Sequence, residues 1–170
     1  MSGLLVVFAG PPGAGKSAIA GILAERHAFT HLEMDAIRLR LLPGSSSTRP
    51  NRLVAYRAMH WAAELLAARG AAVIADASYG RAEDRAAARR AALEAGARFA
   101  LVEFTVPLET ALERCRARRE THPGDDLTPE RVRELVTGFA YTREGLLVDG
   151  TEPPEALAGL LASRLAALPG

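Results

Sequence analysis

The sequence predicts an α/β fold of three layers, with helices covering both faces of a five-stranded parallel sheet. Three observations lead there. Short apolar runs alternate with amphipathic helical stretches from end to end, the pattern of strands joined by crossover helices. The first run, Leu4-Leu5-Val6-Val7-Phe8-Ala9, has no polar position, as a strand buried on both faces requires. It leads directly into Gly10-Pro11-Pro12-Gly13-Ala14-Gly15-Lys16-Ser17, which matches G-x-x-x-x-G-K-[ST] at every fixed position and opens a helix. A chain of 170 residues suits one domain, 1–170, rather than two.

Each element has its own signal. Ile19, Ile22 and Leu23 fall on one face of the first helix, about 16–28. Thr30-His31-Leu32-Glu33-Met34 reads as the second strand, delivering Asp35 at its C-terminal end, the edge where open α/β sheets gather ligands. Pro43 to Pro50 has the composition of a mobile loop. Leu53, Tyr56, Met59 or His60, Ala63 and Leu66 mark a helix over 51–69 that stops at Gly70. Ala71 to Asp76 is the third strand, followed by a helix over about 81–95 that stops at Gly96. Arg98 to Thr105 is the fourth, with Pro107 starting the next helix. That helix runs through Arg114, Arg116, Arg118 and Arg119 into a polar break at 121–126. Helix signals resume at Thr128-Pro129-Glu130, with a hydroxyl at the N-cap. Gly145 to Asp149 supplies the fifth strand, and 153–168 the last helix.

Composition narrows the function. Net charge is +1, so no global basic field drives sequence-independent nucleic-acid binding. No apolar segment approaches the ~20 residues of a spanning helix, and no basic stretch precedes a short apolar run at the N-terminus, so a soluble protein with no membrane partner is expected. The lone cysteine, Cys115, fits a reducing cytoplasm and reads as a helix-face thiol. Twenty arginines stand against one lysine, and that lysine is Lys16. In a chain so biased toward arginine, a retained lysine marks a place where a compact ammonium is needed and a planar guanidinium does not fit.

The motif carries a definite chemistry. Glycines let successive backbone N–H groups turn toward an anion, Lys16 reaches nucleotide phosphates and the Ser17 hydroxyl can bind Mg²⁺. Asp76, ending the third strand, stands where such proteins place a second carboxylate near the metal. Its alternative reading is that Asp76 or Ser78 caps the next helix. Asp35-x-x-Arg38 has an alternative of the same kind, a helix cap beside an exposed arginine. Arg114 and Arg118 are four apart and share a helix face ahead of the break, where a lid of about 114–130 would be built. His60 reads as a flank residue, and His27, His31, Trp61 and Tyr141 as structural.

With the phosphate loop, Asp35-Ala36-Ile37-Arg38, Asp76 and Arg114-x-x-x-Arg118 in this order, the whole chain resembles the small P-loop kinases related to the 5′-kinase half of phage polynucleotide kinase. Chloramphenicol phosphotransferase, zeta toxins and adenylylsulfate kinase are more distant members of that group. The resemblance implies a P-loop NTPase fold with an arginine-bearing lid, and ATP with Mg²⁺ as cofactors. It further implies that Asp35 is the base toward an acceptor hydroxyl, Arg38 positions the substrate, Arg118 meets the migrating phosphoryl group and Arg114 lies toward adenine. No stretch pairs basic residues with several aromatics to stack single strands, which favours a small hydroxyl-bearing substrate over a polynucleotide. The rival expectation is a nucleotide-binding module or slow NTPase switch without an acceptor.

Overall fold

A computed structural model describes residues 2–121 and 127–169. The strands are β1 (Leu4–Ala9), β2 (Phe29–Glu33), β3 (Ala72–Asp76), β4 (Arg98–Thr105) and β5 (Leu146–Asp149). The helices are α1 (Lys16–Arg26), α2 (Met34–Leu41), α3 (Arg49–Ala67), α4 (Ala82–Glu94), α5 (Leu108–Thr121), α6 (Pro129–Thr137) and α7 (Pro154–Ala166). The strands form one parallel sheet in the order β2-β3-β1-β4-β5. The chain runs to one side of β1 for β2 and β3 and to the other for β4 and β5. Strand order therefore reverses beside β1, the place where α/β sheets open a crevice at their C-terminal edge.

The two-residue period of the strands sorts the core into two halves. Leu4, Val6 and Phe8 of β1 pack with Ile19, Ala20 and Leu23 of α1, Ala111 and Cys115 of α5, Val132 of α6 and Leu157, Leu161 and Leu165 of α7. Leu5, Val7 and Ala9 face the other way, onto Met34 of α2, Tyr56, Met59 and Ala63 of α3 and Ala88 and Ala92 of α4. Every residue of β1 is buried, and each Val, Leu or Phe so placed contributes roughly 1.5–3 kcal/mol. The central strand is thereby the most firmly held part of the molecule, and the phosphate motif hangs from its end.

The sequence leaves 36–42 unassigned, whereas the structure continues the Asp35 region into α2. β2 ends at Glu33, so Asp35 stands in the first turn of α2 rather than at a strand end. Neither capping alternative is realised. The N-cap of α2 is Glu33, that of α4 is Arg81, and neither donates a side-chain cap. The 43–50 loop is tethered at three points: Arg38 donates to the Ser45 carbonyl, Asn51 to the Ser46 carbonyl at 3.0 Å, and Arg52 to Ser47 Oγ at 3.4 Å.

His60 is not a flank residue. It is buried, its Nε2 lies 2.8 Å from the hydroxyl of fully buried Tyr79, and burial lowers its pKa to about 4. Tyr79 has a φ of +49°, a conformation uncommon for a bulky side chain. Its N–H donates to Tyr56 Oη at 3.1 Å and its carbonyl accepts from Arg85 at 2.6 Å, which together hold it there. This network supports the turn after β3, and the Ser78 carbonyl in that turn accepts the Gly10 N–H at 3.0 Å.

Candidate active site

The phosphate loop connects β1 to α1 through three residues in the left-handed half of backbone space: Gly10 (φ +154°), Gly13 (+77°) and Gly15 (+86°). Glycine is needed at Gly13 on two counts. Its φ strains any L side chain, and a Cβ there would lie 2.8 Å from the Ala111 backbone of α5. Since α1 begins at Lys16, the first N–H groups of that helix have no intrahelical acceptor and point toward the loop, with the positive end of the helix dipole behind them.

Lys16 folds across this loop, donating from Nζ to the carbonyls of Gly10 (2.9 Å) and Pro11 (3.0 Å). Burial pushes its ammonium below the ordinary lysine range. The charges of Asp76 and Asp35 oppose that shift, and the Arg118 charge adds to it. The contacts agree: Asp76 meets Ser17, the residue after Lys16, at 2.6 Å, Glu33 is paired with Asp76 across the sheet two residues before Asp35, and Arg118 lies 3.9 Å from Glu33, so Asp35, Asp76 and Arg118 gather at one edge of the loop.

Asp76 is 2% exposed. Its Oδ2 accepts from Ser17 Oγ at 2.6 Å and stands 3.1 Å from His31 Nε2. A hydroxyl and a carboxylate side by side are oxygen donors of the kind that Mg²⁺ takes, and Mg²⁺ is commonly held by one or two carboxylates together with substrate phosphates. No group of three or more His, Cys, Asp or Glu side chains that could hold a metal without such help occurs among the described residues. Ser17 and Asp76 therefore fit the ion that the motif implies.

Two residues of the site were missed in sequence. His31, read as structural, touches Asp76, and Glu33 stands beside it. The parallel register sets Glu33 opposite Asp76, and His31, two residues earlier on β2, projects from the same face of the sheet. Burial raises the pKa of Glu33, the Asp76 charge raises it further, and Arg118 and His31 oppose the shift. The signal in sequence was the alternation His31-x-Glu33. It has no meaning until β2 is paired with β3.

In α2, Arg38 is buried and its Nε lies 3.4 Å from Asp35 Oδ1. The same guanidinium donates to the Ser45 carbonyl, so it is no exposed arginine. Arg118 lies over the site with Nη2 3.9 Å from Glu33 Oε1. Arg116 instead lines a groove with Leu127 and Val132, away from the phosphate loop. The expected lid is described only in its helical flanks; residues 122–126 and the side chain of Arg119 lie outside the described residues. Arg114 bridges the phosphate loop to the turn after β5, donating to the carbonyls of Gly13 (3.0 Å) and Gly150 (2.8 Å).

Solved structures share this fold. The fold is similar to that of APE1195, with a TM-score of 0.79 and 25% identity over 98% of this chain and 97% of that one. It is also similar to the APS kinase of Mycobacterium tuberculosis in complex with AMPPNP and APS (TM-score 0.76, 23% identity, 98% and 99% covered). A gluconokinase from Sinorhizobium meliloti 1021 gives a TM-score of 0.68 and 20% identity, with 97% and 92% covered. No curated protein matches the chain. The architecture is that of the P-loop NTPase fold, in the form shared by small P-loop kinases. The profile of the AAA domain family matches residues 5–140, from β1 through the site to the loop before β5, and this chain belongs to that family.

Proposed function

We propose that the protein is a cytoplasmic ATP- and Mg²⁺-dependent kinase that transfers the γ-phosphoryl group of ATP to a hydroxyl of a small molecule. The observation that supports this most is the grouping around Lys16 of two carboxylates with separate surroundings and an arginine. Asp76 is buried against Ser17, while Asp35 is 44% exposed and paired with Arg38. A switch or slow NTPase needs the first carboxylate but has no use for the second.

Each residue then has a task. Lys16 leaves the Gly10 and Pro11 carbonyls for the β- and γ-phosphates, and the loop N–H groups from Gly13 to Ser17 cradle them. Ser17 and Asp76 would hold Mg²⁺, which would neutralise phosphate charge. Asp35 takes the proton of the acceptor hydroxyl as its oxygen bonds to the γ-phosphorus and the bond to the ADP oxygen breaks. Arg38 fixes the acceptor beside it. Arg118 swings from Glu33 onto the migrating phosphoryl group, where a cation stabilises the transition state. Arg114, clamped between Gly13 and Gly150, sets the loop against the turn that borders the base of the nucleotide. The lid, about 114–130, carries Arg118.

ADP release in the presence of Mg-ATP, measured against a panel of hydroxyl compounds and 5′-OH oligonucleotides, tests the reading. Stimulation by a small polyol, sugar or nucleoside supports it. Stimulation by oligonucleotides alone moves the acceptor to a nucleic-acid end. Basal hydrolysis that no acceptor accelerates leaves a nucleotide-binding module or slow NTPase.

A further inference from the structure

Helix α3 buries one side and leaves the other open. Ala55, Tyr56, Met59, His60, Ala63 and Ala67 face the core. On the outer side Val54, Trp61 and Leu65 are 45%, 64% and 39% exposed, with half-buried Ala58 between them. Positions 54, 58, 61 and 65 are spaced four, three and four apart, so they form one stripe with the seven-residue period of a coiled-coil seam. Leu39 and Leu41 of the adjoining α2 are also about half exposed, at 51% and 49%.

We propose that this face of α3 is a homodimer interface, on which two copies of the chain pack with their α3 helices antiparallel about a two-fold axis. The stripe fits a copy of itself in that sense. Its spacing reads the same in both directions, so reversal sets Val54 opposite Leu65 of the partner subunit and Ala58 opposite Trp61 of the partner subunit. Each indole then lies on a methyl side chain rather than on another indole. The charges agree. Arg57 and Glu64 are seven apart on one flank of the stripe, and neither has an ion-pair partner within its own chain among the described residues. Antiparallel packing brings Arg57 toward Glu64 of the partner subunit, and the two-fold axis repeats that pairing. Parallel packing would set the two indoles against each other and would turn the flank of Arg57 and Glu64 toward the opposite flank of the partner helix, losing that pairing. Oppositely charged flanking positions specify orientation in helix pairs for this reason.

The full-length chain tests this by sedimentation equilibrium. At low micromolar concentration the mass should be twice the 18.0 kDa of one chain, falling toward the monomer on dilution. Trp61 is the only tryptophan, so its emission should shift to the red over the same dilution as the indole meets water. Trp61→Glu should be monomeric at the concentration where the parent is a dimer, with an unchanged circular dichroism spectrum because the side chain is outside the core. Arg57→Glu should weaken association by about tenfold, from two lost pairings together with new repulsion. The double exchange Arg57→Glu with Glu64→Arg should restore it. A mass of one chain up to the hundred-micromolar range overturns the proposal, as does a Trp61→Glu dimer. A double exchange as weak as the single one overturns the antiparallel pairing.

Discussion

On the phosphate side of the site, backbone and side chains from α1, β2, β3 and α5 meet at 2.6–3.1 Å: Ser17 and His31 on Asp76, Lys16 on two carbonyls, Arg114 on two more. On the proposed acceptor side the ion pairs are longer and one member of each is more exposed. Arg38 and Asp35 are 3.4 Å apart, Arg118 and Glu33 3.9 Å, and Asp35 and Arg118 are 44% and 54% exposed. The difference suits the role proposed for each side. Phosphates present the same oxygens in every nucleotide, so their cradle is built from backbone fixed to a buried strand. An acceptor must enter and leave, and a cation for the transition state gains most if it engages only there. Binding and transfer should therefore separate by mutation, phosphate-side changes removing both and acceptor-side changes removing transfer alone.

The largest effect is expected at Lys16. Lys16→Ala should abolish transfer, and Lys16→Arg should fail nearly as badly, because a planar fork cannot occupy the pocket between the Gly10 and Pro11 carbonyls where a compact ammonium now sits. Steady-state turnover of Lys16→Arg decides this, and a wild-type-like rate would break the contrast at its strong end.

Asp35→Asn should lower transfer by ~10²–10⁴, the usual contribution of a positioned acid or base. ATP affinity and melting temperature should hardly move. Asp35 caps nothing, so the variant forgoes its charge in the first turn of α2, worth about 0.3–1 kcal/mol, and a long, half-exposed pairing with Arg38 that adds little. Loss of ATP binding along with transfer would assign Asp35 to the phosphate side.

Arg118→Ala should cost ~10²–10³ in kcat, the scale for one preorganised group on developing charge. KM for ATP should change little, since Arg118 stands against Glu33 rather than on the loop. An Arg116→Ala control should keep near-parental activity, because that side chain faces the α5–α6 groove.

The smallest expected effect is on stability alone and sharpens the comparison on the buried side. His60 is neutral in the folded protein, its pKa lowered to about 4, chiefly by burial, against about 6.5 in an unfolded chain. Its contribution is fully present above that unfolded value and is lost as pH falls through the folded one, about 3 kcal/mol by pH 4. Urea midpoints measured from pH 7 to pH 4 should show this slope, and His60→Gln should flatten it. Equal slopes in both proteins would place the acid sensitivity elsewhere.

The strands, most helices and the whole phosphate loop were legible in the chain because each is encoded locally: an apolar run, a helical period, a motif whose glycines are dictated by its own backbone angles. Asp76 was legible too, since a carboxylate ending a strand marks itself. Three things were decided by tertiary structure alone. His31 and Glu33 joined the site only when the register set β2 beside β3. His60 changed from a flank residue to a buried partner of Tyr79 because the turn after β3 folds onto α3. Arg114 took its place through two carbonyls 101 and 36 residues away in the chain. Local periodicity reports which face of an element is buried, but which faces meet is settled by packing between segments distant in sequence. By itself the sequence determined the phosphate-binding half of this protein, and only the packed sheet decided what surrounds it.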